Sequence, residues 1–250
     1  MSADAMQVAT TLSETLEPDA QTRRKAEDNL KQLERVPGFG IVLMQLTVSE
    51  QSPPAIRLAA AVAMKNFVKA SWNKEKCEVE IGEEERKQLR AAALECMFMA
   101  TGNIRKQLSQ VVCIMGSYDF PGEWPELISV LSGYLSGEDL DKLVATLSTM
   151  DELFRHYRHE MKSTKLWSEL AFVLQHVAAP LTELFKRMIE YIQQKDSMPI
   201  DQCQIWLDVL MLITKNFHSL NSQDLPEYFE VVLQLIYSVI CSILLLLLLF

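Results

Sequence analysis

Apolar residues recur along the chain with the three- and four-residue spacing of amphipathic helices, and prolines or glycines separate the periodic stretches. The stretch from Ile104 to Leu127 shows this plan most clearly. Its apolar stripe consists of Leu108, Val111, Val112, Met115 and Phe120. Pro121 and Pro125 end the helix, Asp119 is placed to cap the next one, and Trp124 before Pro125 favours an extended approach. We therefore predict a corner between two helices here.

The same alternation of helix and turn continues over the rest of the chain. The remaining predicted helices are Met6 to Leu16, Gln21 to Leu33, Phe39 to Val48, Pro54 to Trp72, Glu84 to Ala100, Pro125 to Leu135, Leu140 to Tyr157, Leu166 to Gln194 with a bend at Pro180, and Ile205 to Leu220. A last helix is expected to start at Asp224. With 8 glycines and 9 prolines the chain has too few turn residues for an all-β fold, so we expect an all-α protein.

A spaced triple of residues repeats on the second helix of successive pairs. The three copies are Arg23, Ala26 and Leu30; Arg57, Ala60 and Met64; and Arg105, Leu108 and Val112. Each copy has the spacing i, i+3, i+7, which keeps its members near one helix face. The intervals between copies bracket the roughly 40 to 47 residues of HEAT-type repeats. A lone helical pair cannot bury its apolar face, so we predict an α-solenoid of about five stacked, HEAT-type pairs with a right-handed superhelix.

Charge and cysteine content narrow the range of partners. The net charge is −9, and no charged residue occurs in 231–250, so all of it falls on residues 1–230. A nucleic-acid partner is not expected, because phosphate binding requires an excess of Lys and Arg; basic protein segments fit better. The 5 cysteines include no C-x-x-C pair and are expected to be reduced. The N-terminus lacks the basic and apolar regions of a secretory signal.

The sequence offers no catalytic or metal-binding signature. It contains no P-loop, dinucleotide-binding, H-E-x-x-H or G-x-S-x-G motif, so we expect neither an enzyme nor a cofactor. His156 and His159 have H-x-x-H spacing with Glu160 beside them, but no third ligand is in view. We interpret this stretch as a basic helix end whose positive charges complement the helix dipole.

The last twenty residues, 231–250, are almost entirely apolar and are interrupted only by Gln234, Ser238 and Ser242. Their length and hydropathy make them a candidate transmembrane segment. Glu227 and Glu230 precede them, and no positively charged flank follows. Two readings stay open: a membrane anchor, or a non-native end that replaces the continuation of a normal solenoid helix. We favour the second.

Several blocks of sequence resemble the importin-β (karyopherin-β) family. EPDAQTRRKAEDNL from Glu17 and RLAAAVAMKNFVKASW from Arg57 are similar to that family's N-terminal signature. Three later blocks resemble its export receptors: IRKQLSQVVCIMGSYDFPGEWPEL, HYRHEMKSTKLWSEL and FHSLNSQDLPEYFE. The resemblance covers about Leu12 to Glu230 and ends where the apolar tail begins. It suggests N-terminal importin-β-like repeats in 1–102, further HEAT-type repeats in 103–230 and an atypical tail in 231–250.

The resemblance implies a receptor that shuttles between nucleus and cytoplasm and carries importin-α as cargo together with Ran in its GTP form. In that family the second helix of each pair lines the concave surface. The residues that match its Lys-Asn block, and are candidates for GTPase binding, are Lys65, Asn66 and Lys69. By pattern alone these three residues form an ordinary solvated helix face.

Five other residues are expected to hold the repeats together: Arg57, Arg105, Asp119, Phe120 and Trp124. Arg57 and Arg105 are expected to brace neighbouring repeats. Two further functions compete with transport: a generic HEAT-repeat scaffold, and a helical adaptor anchored to a membrane through 231–250. Because full-length family members grip Ran and cargo with additional repeats, we expect cargo-dependent Ran binding by this chain to be weak or absent.

Overall fold

The computed structural model describes residues 3–193 and 200–224. This part of the chain forms ten α-helices and two short 3₁₀ segments and contains no strand. The α-helices are α1 Ala3–Glu14, α2 Ala20–Leu33, α3 Phe39–Val48, α4 Pro54–Ser71, α5 Glu83–Met99, α6 Gly102–Asp119, α7 Glu126–Gly133, α8 Leu140–Phe154, α9 Thr164–Gln193 and α10 Ile200–Asn221. The 3₁₀ segments are Tyr134–Ser136 and Arg155–Arg158. The all-α prediction and its five helical pairs are confirmed for the described residues.

The first compact unit, Met1–Trp124, holds the pairs α1–α2, α3–α4 and α5–α6. The first helices of the pairs pack side by side, since α3 contacts both α1 and α5, while α4 and α6 pack together as a second layer. The close approach of α3 to α4 and α5 depends on Gly40 in α3, where an added Cβ would lie 3.1 Å from Leu89 and 3.2 Å from Phe67. Leu89 and Phe67 come from α5 and α4, so this glycine lies where three helices meet.

Helix starts in this unit follow the signals in the sequence. Asp19 caps α2 by accepting a hydrogen bond from the Thr22 backbone N–H at 2.7 Å. Gly38, with φ of 86°, adopts the left-handed backbone conformation just before α3. Pro54 occupies the first turn of α4, where its missing N–H costs no helical hydrogen bond. These signals explain why the predicted bounds of α3 agree with the structure at both ends.

The arginines of the repeated triple share one role. Near the start of its helix, each donates a hydrogen bond to a backbone carbonyl of the preceding helix or of the turn that joins the two helices. Arg57 Nε donates to Thr47 O at 3.0 Å, Arg105 Nε to Ala100 O at 2.7 Å, and Arg23 Nη1 to Pro18 O at 2.6 Å. For Arg57 and Arg105, a cation at these carbonyls satisfies orphan acceptors and opposes the negative end of the helix dipole. These bonds brace the two helices of one pair, whereas the sequence led us to expect braces between neighbouring repeats.

The second compact unit, Pro125–Phe250, contains the pairs α7–α8 and α9–α10 among its described residues. Here α7 packs on α9 and α8 packs on α10, which again gives one layer of first helices and one of second helices. Asp139 caps α8 through the Lys142 N–H at 3.1 Å. Pro180 lies inside α9, which continues past it as one helix of 30 residues.

Three further expectations from the sequence have different outcomes. The N-cap of α7 is Pro125, so the prediction that Asp119 caps the next helix is wrong; its carboxylate is bound to Arg90 instead. The structure divides into two compact units after Trp124. The sequence boundary between 1–102 and 103–230, which rests on the family resemblance, stays a prediction. The helix expected from Asp224 onwards and the apolar segment 231–250 lie outside the described residues.

Candidate functional site

The candidate GTPase-binding residues all belong to α4. Asn66 and Lys69 are exposed and Lys65 is half-buried, while Met64, Phe67 and Val68 on the opposite side are buried in the core. Four small residues, Ala59, Ala60, Ala61 and Ala63, leave little bulk on the rest of the helix. The structure therefore places Lys65, Asn66 and Lys69 together on one outward face, where they are available to a partner.

The neighbouring helix α6, which packs on α4, also exposes a lysine, and the sequence did not point to it. Lys106 and Gln110 are exposed, whereas Leu108, Val111 and Val112 are buried. The only acidic residue of α6 is Asp119, which is buried and ion-paired, and α4 has no acidic residue. The absence of exposed carboxylates from both helices was visible in the sequence and could have pointed to α6. We call Lys65, Asn66, Lys69, Lys106 and Gln110 the basic face.

Among the first-layer helices of the same unit, α5 carries the opposite charge. On α5, Glu83, Glu84 and Glu95 are exposed together with a single exposed lysine, Lys87, and α3 has no charged residue. The chain as a whole has a net charge of −9. The basic face is therefore a local departure from the chain's acidic balance and favours a partner with an acidic surface.

A buried ion pair lies at the corner that follows α6. Arg90 Nη1 of α5 donates to Asp119 Oδ2 of α6 at 2.7 Å, and both side chains are almost fully buried. Arg90 Nη2 donates to Glu83 at 3.1 Å, and Glu123 lies 3.6 Å from Nη1. Lys74 completes the network by bridging Glu83 and Glu123. We call Lys74, Glu83, Arg90, Asp119 and Glu123 the Arg90 corner.

The Arg90 corner supports a structural role for the three residues predicted around it. The Asp119 carbonyl accepts hydrogen bonds from the N–H groups of Glu123 and Trp124 at 2.7 and 3.0 Å. Trp124 is 4% exposed and Phe120 is half-buried. The contacts of Asp119 and the burial of Trp124 agree with a structural role, which stays a prediction for Asp119, Phe120 and Trp124.

A second buried arginine, Arg86, fastens the connector between α4 and α5. Its guanidinium donates to the carbonyls of Ile81, Trp72 and Ser71 at 3.1, 2.9 and 3.3 Å. It also lies over the Trp72 ring, 4.6 Å from the ring centroid. Nothing in the sequence singled out Arg86 or Arg90, because both lie in a helix whose pattern is amphipathic and charged.

The histidine pair of the second unit does not form a metal site. Among the described residues no cluster of His, Cys, Asp and Glu side chains could hold a metal ion. His156 Nε2 instead lies 3.5 Å from carboxylate oxygens of both Glu160 and Glu169. The buried Tyr157 hydroxyl donates to Glu169 at 2.7 Å. The expected basic helix end is thus balanced by acidic residues, one of which comes from α9.

No described helix is long and apolar enough to cross a membrane. The segment 231–250, for which we considered membrane insertion, lies outside the described residues.

Two family models match separate parts of the sequence. The Importin-beta N-terminal domain model matches residues 26–99, and the Cse1 model matches residues 153–246. The first match contains α4 and its part of the basic face. The second contains α9 and α10 and continues over most of the apolar segment 231–250. It thus extends beyond Glu230, where the sequence predicts that the resemblance ends.

Curated relatives match most of this chain but only a small part of their own length. Exportin-2 of Oreochromis niloticus is 38% identical over 220 residues, which are 88% of this chain and 22% of that relative. Exportin-2 of Homo sapiens is 37% identical over the same number of residues and the same shares. This chain therefore spans less than a quarter of the length of the relatives that it matches.

Comparison with solved structures points to the same family as the curated relatives. The exportin Cse1 in its cargo-free, cytoplasmic state has a TM-score of 0.85 and 30% identity, covering 94% of this chain and 25% of that chain. Importin beta has a TM-score of 0.61 at 19% identity, covers 86% of this chain and 24% of that chain, and shares the fold alone. The predicted class, an α-solenoid of HEAT-type helical pairs, is confirmed. By sequence and by fold, the chain is a relative of exportin-2 in the importin-β family and corresponds to the N-terminal part of that protein.

Proposed function

We propose that the chain is the N-terminal part of a nuclear export receptor and that its basic face binds Ran in the GTP form. The cargo is importin-α, as the sequence resemblance implies, and the receptor shuttles between nucleus and cytoplasm. Its kinship with exportin-2 supports this role. Kap95p, a protein of the same fold at 18% identity, binds RanGDP. The chain itself is proposed to catalyse nothing and to need no cofactor.

The observation that carries the proposal is the single sign of charge on the basic face. Lys65 and Lys69 on α4 and Lys106 on α6 are not opposed by any exposed acidic residue on those two helices. Like charges on one surface repel each other and lower folding stability, so their uniform sign is better explained by a partner than by the fold. An acidic surface of the GTPase would be steered towards this face and oriented on it.

The side-chain types on the basic face also suit a protein partner. The long aliphatic stems of Lys65 and Lys69 can cover apolar surface while their ammonium groups reach acidic residues of the partner. Asn66 lies between them and both donates and accepts hydrogen bonds, which adds directional recognition to the charge. Asn66 is exposed, so binding it requires little rearrangement.

This chain contains only some of the repeats that we propose bind Ran and cargo in the longer relatives. The relatives are about four times as long, and we propose that their later repeats close around the GTPase and cargo together. Ran in the GTP form then acts as an effector that favours the cargo-bound curvature of the solenoid, with a coupling set by its differential affinity for the two curvatures. Since linked sites reinforce each other only when both are present, the chain alone should bind Ran weakly and without cooperativity from importin-α.

The proposal can be tested by titrating the isotopically labelled 250-residue chain with Ran bound to a non-hydrolysable GTP analogue at low salt. We expect chemical-shift changes centred on α4 and α6 and a weak affinity. The double substitution Lys65→Glu and Lys69→Glu should reduce that affinity by about tenfold or more, because each reversal replaces attraction by repulsion against an acidic surface.

The matched control is Lys87→Glu, which reverses an exposed charge on α5 and should leave the affinity nearly unchanged. Equal loss in Lys87→Glu and in the α4 double variant would show only a general charge effect and would contradict the proposed site. Tight ternary binding of Ran and importin-α by this chain would contradict the proposal that later repeats are required for cooperative grip.

A further inference from the structure

The turn between α8 and α9 joins three helices of the second unit. It contains the 3₁₀ segment Arg155–Arg158, which follows α8 directly. The buried Tyr157 fastens it to α9 through the hydroxyl bond to Glu169. Gln223, just after α10, donates its amide to the carbonyls of Tyr157 and Glu160 at 2.7 and 2.9 Å. A loss of order in this turn would therefore loosen the packing of α8, α9 and α10 on one another.

His156 is placed in this turn so that its protonation state matters. Its Nδ1 lies 2.7 Å from the Leu153 carbonyl oxygen, which can only accept, so Nδ1 carries a hydrogen. In the neutral ring Nε2 is then an acceptor, yet it lies 3.5 Å from carboxylate oxygens of both Glu160 and Glu169. In that state Nε2 and the two carboxylate oxygens are all hydrogen-bond acceptors, and none of them supplies a hydrogen. Protonation at Nε2 supplies the missing donor and a positive charge between the two carboxylates.

We propose that His156 is a proton-dependent latch that, when protonated, holds the α8–α9 turn against α9 through Glu169 and closes the turn through Glu160. When His156 loses its proton, both of its ion pairs are lost. The turn keeps the bonds made by Tyr157 and Gln223 and those of Arg158 to Asp151 and Ser219. The latch is distinct from the basic face, which lies in the other compact unit, and it does not depend on the proposed function.

The charges around the latch favour the protonated form. The Glu169 carboxylate raises the pKa of His156, against the opposing effect of burial, and Glu160 adds to the rise. Burial works to raise the pKa of Glu169, but its bonds to His156 and Tyr157 outweigh that effect, and its pKa falls below the usual value.

Within residues 3–193 and 200–224, the other elements at the turn bring no further carboxylate to bear on His156. On α8, Asp151 is engaged by Arg158 at 2.8 Å and by Arg155 at 3.5 Å. Lys165 at the start of α9 acts on Glu169, and the contact from the segment after α10 is the uncharged amide of Gln223.

The pH dependence follows from these directions. A histidine whose pKa is raised in the folded state stabilises the fold below its unfolded pKa, and this contribution is lost as the pH rises through the folded value. The latch is therefore closed on the acidic side of this range and open on the basic side. Its effect is local, because half of the His156 side chain is in contact with solvent and the charges there are screened.

The test is an NMR titration of the four histidines in the 250-residue chain, combined with amide hydrogen exchange corrected for the intrinsic effect of pH. We expect His156 to titrate at a higher pH than it does in the urea-unfolded chain. The Glu160 amide, which donates to the His156 carbonyl, should lose protection over the same pH interval. A His156 midpoint at or below the unfolded value, or protection that does not change across the titration, would overturn the proposal.

The variant Glu169→Gln separates the latch from the general packing of the turn. A glutamine oxygen can still accept from Tyr157, and its amide can donate to neutral His156 Nε2. We expect the His156 midpoint to move down and the protection of the Glu160 amide to become nearly independent of pH. His159→Gln, which changes an exposed histidine of the same segment, should preserve the wild-type pH dependence. An unchanged His156 midpoint in Glu169→Gln would contradict the latch.

Discussion

Two helix junctions, one in each compact unit, are held together by charge in different ways. The Arg90 corner relies on a guanidinium that stays protonated at every pH that the fold survives, enclosed with Asp119 at 2.7 Å. The α8–α9 turn also contains a guanidinium pair, Arg158 with Asp151 at 2.8 Å. Its contacts with Glu169 of α9, however, come from His156, which titrates, and from the uncharged hydroxyl of Tyr157. The charge on Arg90 is permanent, whereas the charge on His156 can be removed by a change of pH.

The two junctions therefore respond to opposite changes of pH. At the Arg90 corner, the hydrogen bond from Lys74 holds the pKa of Glu83 below its usual value. A carboxylate with a lowered pKa stabilises the fold above its unfolded pKa, and this contribution is lost as the pH falls through the folded value. His156 has a raised pKa and loses its contribution as the pH rises. Acid weakens the first junction and base weakens the second.

The largest expected effect comes from removing the permanent charge. Arg90→Ala leaves Asp119 buried without its partner, and we expect the free energy of unfolding to fall by about 3 to 5 kcal/mol, as measured by chemical denaturation. Asp119→Ala should cost less, because Arg90 keeps its bond to Glu83. Lys87→Ala on the exposed side of α5 is the control and should change stability by less than about 0.5 kcal/mol. Equal costs for Arg90→Ala and Lys87→Ala would show that the Arg90 corner is not a permanent brace.

Next in size is Trp124→Ala, which tests whether packing or charge dominates at the same corner. We expect a loss of about 3 kcal/mol, at the lower end for a buried tryptophan, because a turn can partly collapse into the space left behind. The melting temperature should fall clearly. The affinity for Ran, measured at a temperature where the fold is intact, should change less. A variant that melts like the wild type but no longer binds Ran would make Trp124 a contact residue, and so contradict the structural role.

This comparison also shows what sequence alone can predict. Proline and glycine positions, together with the helical period, were sufficient for α3 and for the five pairs, since both signals are local. The outward face of α4 was predictable for the same reason. The pairing of Arg90 with Asp119 was not, because the two residues lie 29 positions apart and meet only when α5 packs on α6. Asp119 instead looked like a cap, the role its neighbours in sequence suggested.

His156 shows the same limit from the other direction. The sequence placed it beside Glu160, which predicted a basic helix end with one acidic neighbour. The deciding partner, Glu169, comes from the next helix and is brought into place by the 3₁₀ segment after α8, where the sequence predicted that α8 itself continues. Because the helix type changes after α8, His156, which looked solvated in the sequence, lies between two carboxylates at this junction.

The smallest expected effect separates the two components of the α8–α9 turn. Tyr157→Phe removes a hydrogen bond to a carboxylate and should lower the free energy of unfolding by about 1.5 kcal/mol. Burial raises the pKa of the Tyr157 phenol well above its usual value, so this loss should be constant from acidic to mildly basic pH, while the His156 contribution declines. Denaturation curves at several pH values would distinguish the two, with the exposed Tyr118→Phe as control. If the loss in free energy of unfolding caused by Tyr157→Phe followed the His156 titration instead, the hydroxyl and the imidazole would act as one coupled unit. The α8–α9 turn would then be one charged network like the Arg90 corner, and the two junctions would differ only in strength.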